Sequence, residues 1–252
     1  MTATSASSLR ADPHPVLMLL PGLMCDYAAW EPTAALLASH AECRIPAWGT
    51  LDSIEAMAAH VLATVAEPRF AVAGHSMGGR VALEIMRQAP QRVTRLALLD
   101  TGYQPLAEGE AGERERAGRH ALLAQARTEG MRAMGAVWAK GMVPPGQLGT
   151  PLFDAILDMI ERSSPDQFAA QIRALLARPD ATALLADIRC PTLLLCGRDD
   201  LWSPVARHEE MHDRMKHAQL EVIDDAGHMV TMEAPQAVAQ ALLRWLRSEA
   251  GQ

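Results

Sequence analysis

Two stretches of this chain carry the residue types and spacing of catalytic sites. "GHSMGG", from Gly74, fits the G-x-S-x-G pattern of serine nucleophiles. "HEEMH", from His208 to His212, fits H-E-x-x-H, in which two histidines one helical turn apart hold zinc and the glutamate serves as base. A serine hydroxyl is too weak an acid to attack a carbonyl unaided, so it needs a neighbouring base and an exposed position. A catalytic zinc needs a third protein ligand and an open coordination position.

The serine reading finds partners elsewhere in the chain. In "AVAGHSMGGRVALEI" an apolar run ends at Gly74, Ser76 takes the turn, and a helix is expected from about Gly78. Glycines two before and two after let the turn residue adopt a strained conformation costing roughly 1–3 kcal/mol. "VIDDAGHMVTMEAP" places His228 in a loop after the last expected strand, where Gly227 eases the turn. "LLLCGRDDLWSP" presents Asp199 and Asp200 after another, and Asp100 ends the strand "LALLD". An acid at such a place would fix the imidazole tautomer and stabilise the imidazolium.

The elements that must position these residues are legible as an alternation. "VLMLLPG" from Val16, "FAVAGHS" from Phe70, "LALLD" from Leu96, "PTLLLCG" from Pro191 and "LEVID" from Leu220 are short apolar runs stopped by turn residues. Continuous apolar runs suit strands covered on both faces. Helical patterns at 54–65, 79–87, 204–215 and 235–246 separate them, which predicts an α/β fold with right-handed crossovers and a doubly wound, mostly parallel sheet of about six strands. "ECRIPAW", from Glu42, reads as an edge strand because Pro46 cannot donate to a ladder. The alternation stops between 102 and 188, so residues 103–187 are expected to form a helical cap inserted into a core of 16–102 and 188–252. The charge-rich opening of that block, "EGEAGERERAGR", reads as a solvated face.

The zinc reading weakens on a helical wheel. Val205, His208, Met211, His212 and Met215 fall on one apolar face, with Ser203 as N-cap and Pro204 at the first helical position. His217, five residues past His212, does not follow the spacing of a third ligand. No metal site is expected, and a zinc peptidase remains only a minor alternative.

Beyond the triad, the chain resembles the α/β-hydrolase superfamily. "PGLMCDYAAW" is similar to that family's HGxxxxxxxW loop with Pro21 in place of the usual histidine, "CPTLLLCGRDDLWSP" to its PTLxxxGxxDxxxP segment, and "AGHMVTMEAP" to its GHxxxxExP segment. The resemblance selects Asp200, three residues after Gly197, as the acid over Asp199, with Asp100 as the alternative. It implies an oxyanion hole built from the N–H groups of Leu23 and Met77. The segment before Val16 is too short for the family's first two strands, and residues 1–15 read as a flexible tail. Serine at the nucleophile position disfavours the dehalogenase and epoxide hydrolase relatives, which use a carboxylate there.

Substrate choice in such a fold belongs to the cap and loops. Met131, Met134, Trp138 and Met142 recur at helical spacing and read either as cap packing or as an adaptable acyl pocket. Arg80 occupies a position where menaquinone-pathway cyclohexadiene-carboxylate synthases hold an anionic substrate, although a solvated or ion-paired helix residue is the plainer reading. The expected activity is hydrolysis of a small or medium carboxylic ester, thioester or lactone through an acyl-enzyme, without cofactor; a lyase using the same triad for proton abstraction is the alternative.

Composition narrows the partners. A net charge of −7 without a dense basic run argues against nucleic acid, and a small-molecule acyl substrate is expected instead. Cys25, Cys43, Cys190 and Cys196 show no CxxC spacing, so reduced thiols are expected. With no apolar run at its start, the chain is read as a cytoplasmic monomer or homodimer without membrane attachment.

Overall fold

A computed structural model describes residues 14–215 and 217–248, so the expected tail lies almost wholly outside the described residues. Six strands form one sheet: β1 (Val16–Leu20), β2 (Glu42–Arg44), β3 (Phe70–His75), β4 (Val93–Leu99), β5 (Thr192–Gly197) and β6 (Gln219–Ile223). Their order is β2-β1-β3-β4-β5-β6, and every pairing is parallel. Strands β1, β3 and β5 are buried along their whole length, which explains why their sequences are continuous apolar runs.

The helices are α1 (Glu31–Leu37), α2 (Ile54–Thr64), α3 (Met77–Gln88), α4 (Gly109–Glu129), α5 (Met131–Trp138), α6 (Pro151–Glu161), α7 (Pro165–Leu176), α8 (Thr182–Leu185), α9 (Val205–Arg214), α10 (Val230–Glu233) and α11 (Pro235–Arg247). Helices α4 to α8 all fall between β4 and β5, and no strand interrupts them among the described residues. Among the described residues no helix is long and apolar enough to cross a membrane.

Strand β2 does lie at the sheet edge, but it ends at Arg44 and leaves Pro46 outside the ladder. Proline offers no N–H to a ladder, so pairing stops before it. Helix α9 also starts one residue later than its sequence signals indicate. Pro204 is its N-cap, and the Ser203 amide is given instead to the carboxylate of Asp200.

Candidate active site

The turn from β3 into α3 puts Ser76 at φ 54° and ψ −116°. That conformation, rare for a residue with a side chain, costs roughly 1–3 kcal/mol and must be held by its surroundings. The Ser76 N–H donates to Leu99 O at 2.9 Å, and its carbonyl accepts the Thr101 hydroxyl at 2.6 Å. Close backbone approach completes the turn: a Cβ on Gly78 would overlap the carbonyl of Leu20. Gly78→Ala is therefore expected to destabilise the fold by about 3 kcal/mol, a fall in Tm of about 6–12 °C in a scanning calorimeter.

Gly197, at the end of β5, serves the other half of the site. A Cβ there would overlap the carbonyls of Ala226 and Gly227, so only glycine lets the loop after β5 lie against the loop after β6. This contact brings Asp200 and His228 together. Asp200 Oδ2 accepts from His228 Nδ1 at 2.9 Å, while its Oδ1 accepts the amides of Trp202 at 2.7 Å and Ser203 at 3.0 Å. Burial alone would raise the Asp200 carboxyl, but the imidazole of His228 and the two amides outweigh it and hold the group down at about 2. His228 Nε2 lies 2.9 Å from Ser76 Oγ. Serine, histidine and carboxylate thus form one hydrogen-bonded line that can carry a proton away from the hydroxyl.

The other two candidate acids are placed differently. Asp199 is exposed. Asp100 is fully buried beneath the site, accepts the Gly197 amide at 2.9 Å, and is pushed well above the usual carboxylate range by burial and by the charge of Asp200. That shift disfavours a second negative charge beside Asp200 under the imidazole.

Side chains without a catalytic signature hold the imidazole in place. The Glu233 carboxylate accepts the amides on both sides of His228, from Gly227 at 3.0 Å and Met229 at 2.9 Å. His75 Nε2 donates to the His228 carbonyl at 2.7 Å, and the His228 amide donates to Met142 O at 2.6 Å. Burial, followed by the neighbouring His228, depresses His75 to about 3, consistent with a neutral donor. The GHxxxxExP segment carries the signal for Glu233; nothing local in the sequence points to Thr101 or His75 as supports.

The loop after β1 borders Ser76, since a Cβ on Gly22 would lie 3.2 Å from the serine Cβ. Pro21 does not derail it: the Pro21 carbonyl accepts Trp48 Nε1 at 3.0 Å, and the Met24 amide donates to the buried Gln171 of α7 at 2.8 Å. Met77 opens α3, where an amide lacks an intrahelical acceptor. Among the described residues no backbone carbonyl outside the helices and strands takes the Leu23 N–H. These two donors border the nucleophile and can face a developing oxyanion.

A cavity of about 540 Å³ opens over Ser76 and His228. Trp138, Met142 and Phe168 from the helical segment line it together with Trp202, whose ring centroid is 5.3 Å from that of Trp138 and 4.9 Å from that of His228. Met131 and Met134 are not among its walls. Both are buried in the helical segment, so packing accounts for them and the pocket reading does not. The charge-rich start of that segment is largely solvated as read, with Glu108, Glu110, Glu113, Arg114 and Arg116 exposed, but Glu115 and Arg119 of α4 are half-buried and, with Arg114, line the cavity. Arg80 lines it too, half-buried and donating to the Gln104 carbonyl at 2.7 Å, and among the described residues it has no carboxylate within 4.0 Å, so it is not an ion-paired helix position.

His208 of "HEEMH" serves the scaffold, while His212 is half-buried on the same helix. His208 is fully buried, its Nε2 accepting the Thr101 amide at 3.3 Å and its Nδ1 facing the Pro204 carbonyl at 3.4 Å. Among the described residues no cluster of three metal-ligating side chains forms. Burial holds His208 at about 4, below its ordinary 6.5. The native imidazole therefore stays neutral while the unfolded one takes up a proton below pH 6.5, so this residue's contribution to stability is lost as pH falls toward 4. In urea melts, the stability deficit of His208→Gln relative to the parent is expected to shrink by about 1.4 kcal/mol per pH unit between those limits.

The sequence model of the alpha/beta hydrolase family matches residues 17–241. The chain is 28% identical over 210 residues to "Putative carbamate hydrolase RutD" of Rhizobium rhizogenes, an alignment covering 77% of this chain and 74% of that one. Its fold is similar to a thermophilic esterase from Thermogutta terrifontis, with a TM-score of 0.80 and 27% identity over 93% of this chain and 90% of the other. MenH from S. aureus aligns with a TM-score of 0.82 over 94% of this chain and 95% of that one, but at 20% identity the likeness is one of fold alone. With the match running from β1 into α11 and the six-stranded parallel sheet in place, the chain belongs to the alpha/beta hydrolase family.

Proposed function

We propose that this protein is a serine hydrolase acting on small or medium carboxylic esters, thioesters and lactones included, with Ser76, His228 and Asp200 as its catalytic triad. The observation that carries this reading is the 2.9 Å approach of His228 Nε2 to a serine hydroxyl on a strained turn, at the floor of a cavity. Similarity to an esterase and to a protein named as a carbamate hydrolase supports acyl chemistry.

In this mechanism His228 Nε2 takes the hydroxyl proton as Ser76 Oγ bonds to the substrate carbonyl carbon. The carbonyl oxygen becomes an oxyanion facing the amides of Leu23 and Met77, donors of a kind worth about 2.7–4 kcal/mol each. Asp200 steadies the imidazolium through Nδ1. The bond to the leaving oxygen or sulfur then breaks, and the imidazolium protonates the departing group. Water, deprotonated by the same imidazole, attacks the acyl carbon, the bond to Ser76 Oγ breaks, and the imidazolium returns its proton to that oxygen as the acid leaves. Helices α4 to α8 act as the cap that selects the acyl group, and the chemistry calls for no cofactor.

A fluorophosphonate probe is expected to leave its mass on the peptide containing Ser76, and p-nitrophenyl butyrate to give a burst of one nitrophenol per site before steady turnover. A probe adduct elsewhere, or none, would remove the nucleophile assignment. A second reading, elimination by proton abstraction with the same triad, draws on Arg80 in the cavity wall. It predicts turnover without burst and without acyl-enzyme.

A further inference from the structure

The turn that borders the nucleophile is tied to the helical segment inserted between β4 and β5. The Cys25 N–H donates to the Gly22 carbonyl at 3.2 Å and closes a four-residue turn with Leu23 and Met24 at its centre. Met24 lies at φ 59°. A turn with positive φ at its second central residue normally has glycine or asparagine there, because a Cβ crowds the backbone in that region. Leu23 and Cys25 line the cavity, whereas Met24 is buried and is not among its walls.

A strained turn must be held by its surroundings, and here the holder is distant in sequence. The Met24 N–H donates to Gln171 Oε1 at 2.8 Å, across 147 positions of the chain. A backbone N–H can only donate, so the Gln171 amide is fixed with its oxygen toward the turn. Gln171 is 4% exposed, on a helix whose start is fastened by a capping box between Ser164 and Gln167. Glutamine is mostly a surface residue, and a buried one needs partners for its amide. Phe168 and Leu175, one turn before and one turn after it on α7, line the cavity.

A second tether joins the same two regions. Arg162 donates to Asp26 at 2.7 and 3.0 Å, but the two side chains are 43% and 32% exposed. A pair so open to water contributes little, which leaves the buried bond to set the turn.

The peptide joining Leu23 to Met24 can turn over, taking Met24 to negative φ and relieving the crowding of its Cβ. The Met24 bond to Gln171 exists only in the observed form. Such a rotation shifts the backbone on both sides of it, including the peptide that carries the Leu23 N–H. That peptide is packed closely: a Cβ on Gly22 would lie 3.1 Å from His75 Nδ1 and 3.2 Å from the Ser76 Cβ. A displacement of about 1 Å at a reacting centre costs on the order of 10²-fold in rate.

We propose that Gln171 is a positioning residue for acyl transfer: it holds Met24 in the left-handed form of the turn and so keeps the Leu23 N–H directed at the developing oxyanion. This rests on the acyl-hydrolysis reading for its effect on turnover, but the state of the turn is testable without turnover.

Gln171→Leu is expected to lower kcat on p-nitrophenyl butyrate by about 10- to 100-fold with KM within about twofold of the parent. Inhibition by an alkyl trifluoromethyl ketone, whose serine adduct places an oxygen at the oxyanion position, is expected to weaken by the same factor. Gln171→Asn, which draws the amide back by one carbon, gives the same reading should leucine prevent folding. Gln171→Glu, which keeps an oxygen at the same reach, is expected to retain at least about a third of the parent kcat, and Arg162→Ala all of it. In hydrogen-exchange mass spectrometry the peptide spanning 20–27 should exchange faster in the leucine and asparagine variants than in the parent.

A folded leucine or asparagine variant with kcat within about threefold of the parent overturns the assignment, as does a loss confined to KM, which packing of the helical segment alone would give. An equal loss in Gln171→Glu also overturns it, and unchanged exchange in 20–27 removes the hold on the turn itself. A fluorophosphonate adduct on Ser76 in an active parent, with kcat kept in the variants, sinks this inference and leaves the hydrolase reading standing. A parent with neither adduct nor turnover, whose turn still loosens on substitution, sinks the hydrolase reading and leaves Gln171 as the anchor of the turn.

Discussion

Replacing Ser76 with alanine is expected to lower kcat on p-nitrophenyl butyrate by about 10⁵- to 10⁶-fold, the scale seen when a nucleophile is removed from a cooperating triad. The loss should fall on kcat and leave KM little changed, because the hydroxyl contributes to the transition state and adds little to ground-state binding. The structure also makes the fold indifferent to this change. Ser76 makes no side-chain cap to α3, and the turn is held by its backbone, through Leu99 and Thr101. Relief of strain is not expected either, since alanine at φ 54° meets the same Cβ penalty as serine. Purified Ser76→Ala with an unchanged melting temperature and more than a hundredth of the parent turnover would contradict the proposed mechanism.

Asp200→Asn is expected to reduce kcat by about 10⁴-fold. The amide can still accept the Trp202 and Ser203 amides through its oxygen, but its nitrogen then faces His228 Nδ1 as a donor. The imidazole must turn its acceptor nitrogen toward the amide, leaving a protonated Nε2 that cannot take the serine proton. Asp100→Asn is expected to stay within about tenfold of the parent. Burial pushes its carboxyl well above the usual carboxylate range, and an asparagine oxygen can keep the Gly197 hydrogen bond. The contrast between the two substitutions, measured as kcat on one ester at pH 8, decides between the two buried acids; a larger loss at Asp100 would transfer the role to it.

The sheet and the turn that presents Ser76 were legible in the chain because their causes are local. Apolar runs as long as a strand, stopped by glycine or proline, require burial on both faces wherever they occur, and they appear as β1, β3, β4 and β5. Glycine spacing around Ser76 records a close approach of backbones that no other residue permits. The order of serine, acid and histidine likewise follows from strand ends that lie on one rim of a parallel sheet.

What tertiary structure alone decided is which side chains meet across elements distant in sequence. Asp100 and Asp200 both follow buried strands; only the contact of the loops after β5 and β6, allowed by Gly197, sets Asp200 against His228 and leaves Asp100 beneath. Met131 and Met134 share helical spacing with Trp138 but not the cavity, because spacing names a face and says nothing of what covers it. Charged residues on helix surfaces read as solvated until another element is laid over them. Arg80, Arg119, Arg178 and Arg207 come to line one cavity only when α3, α4, the end of α7 and α9 converge, and such convergence is a property of distance that no linear pattern encodes.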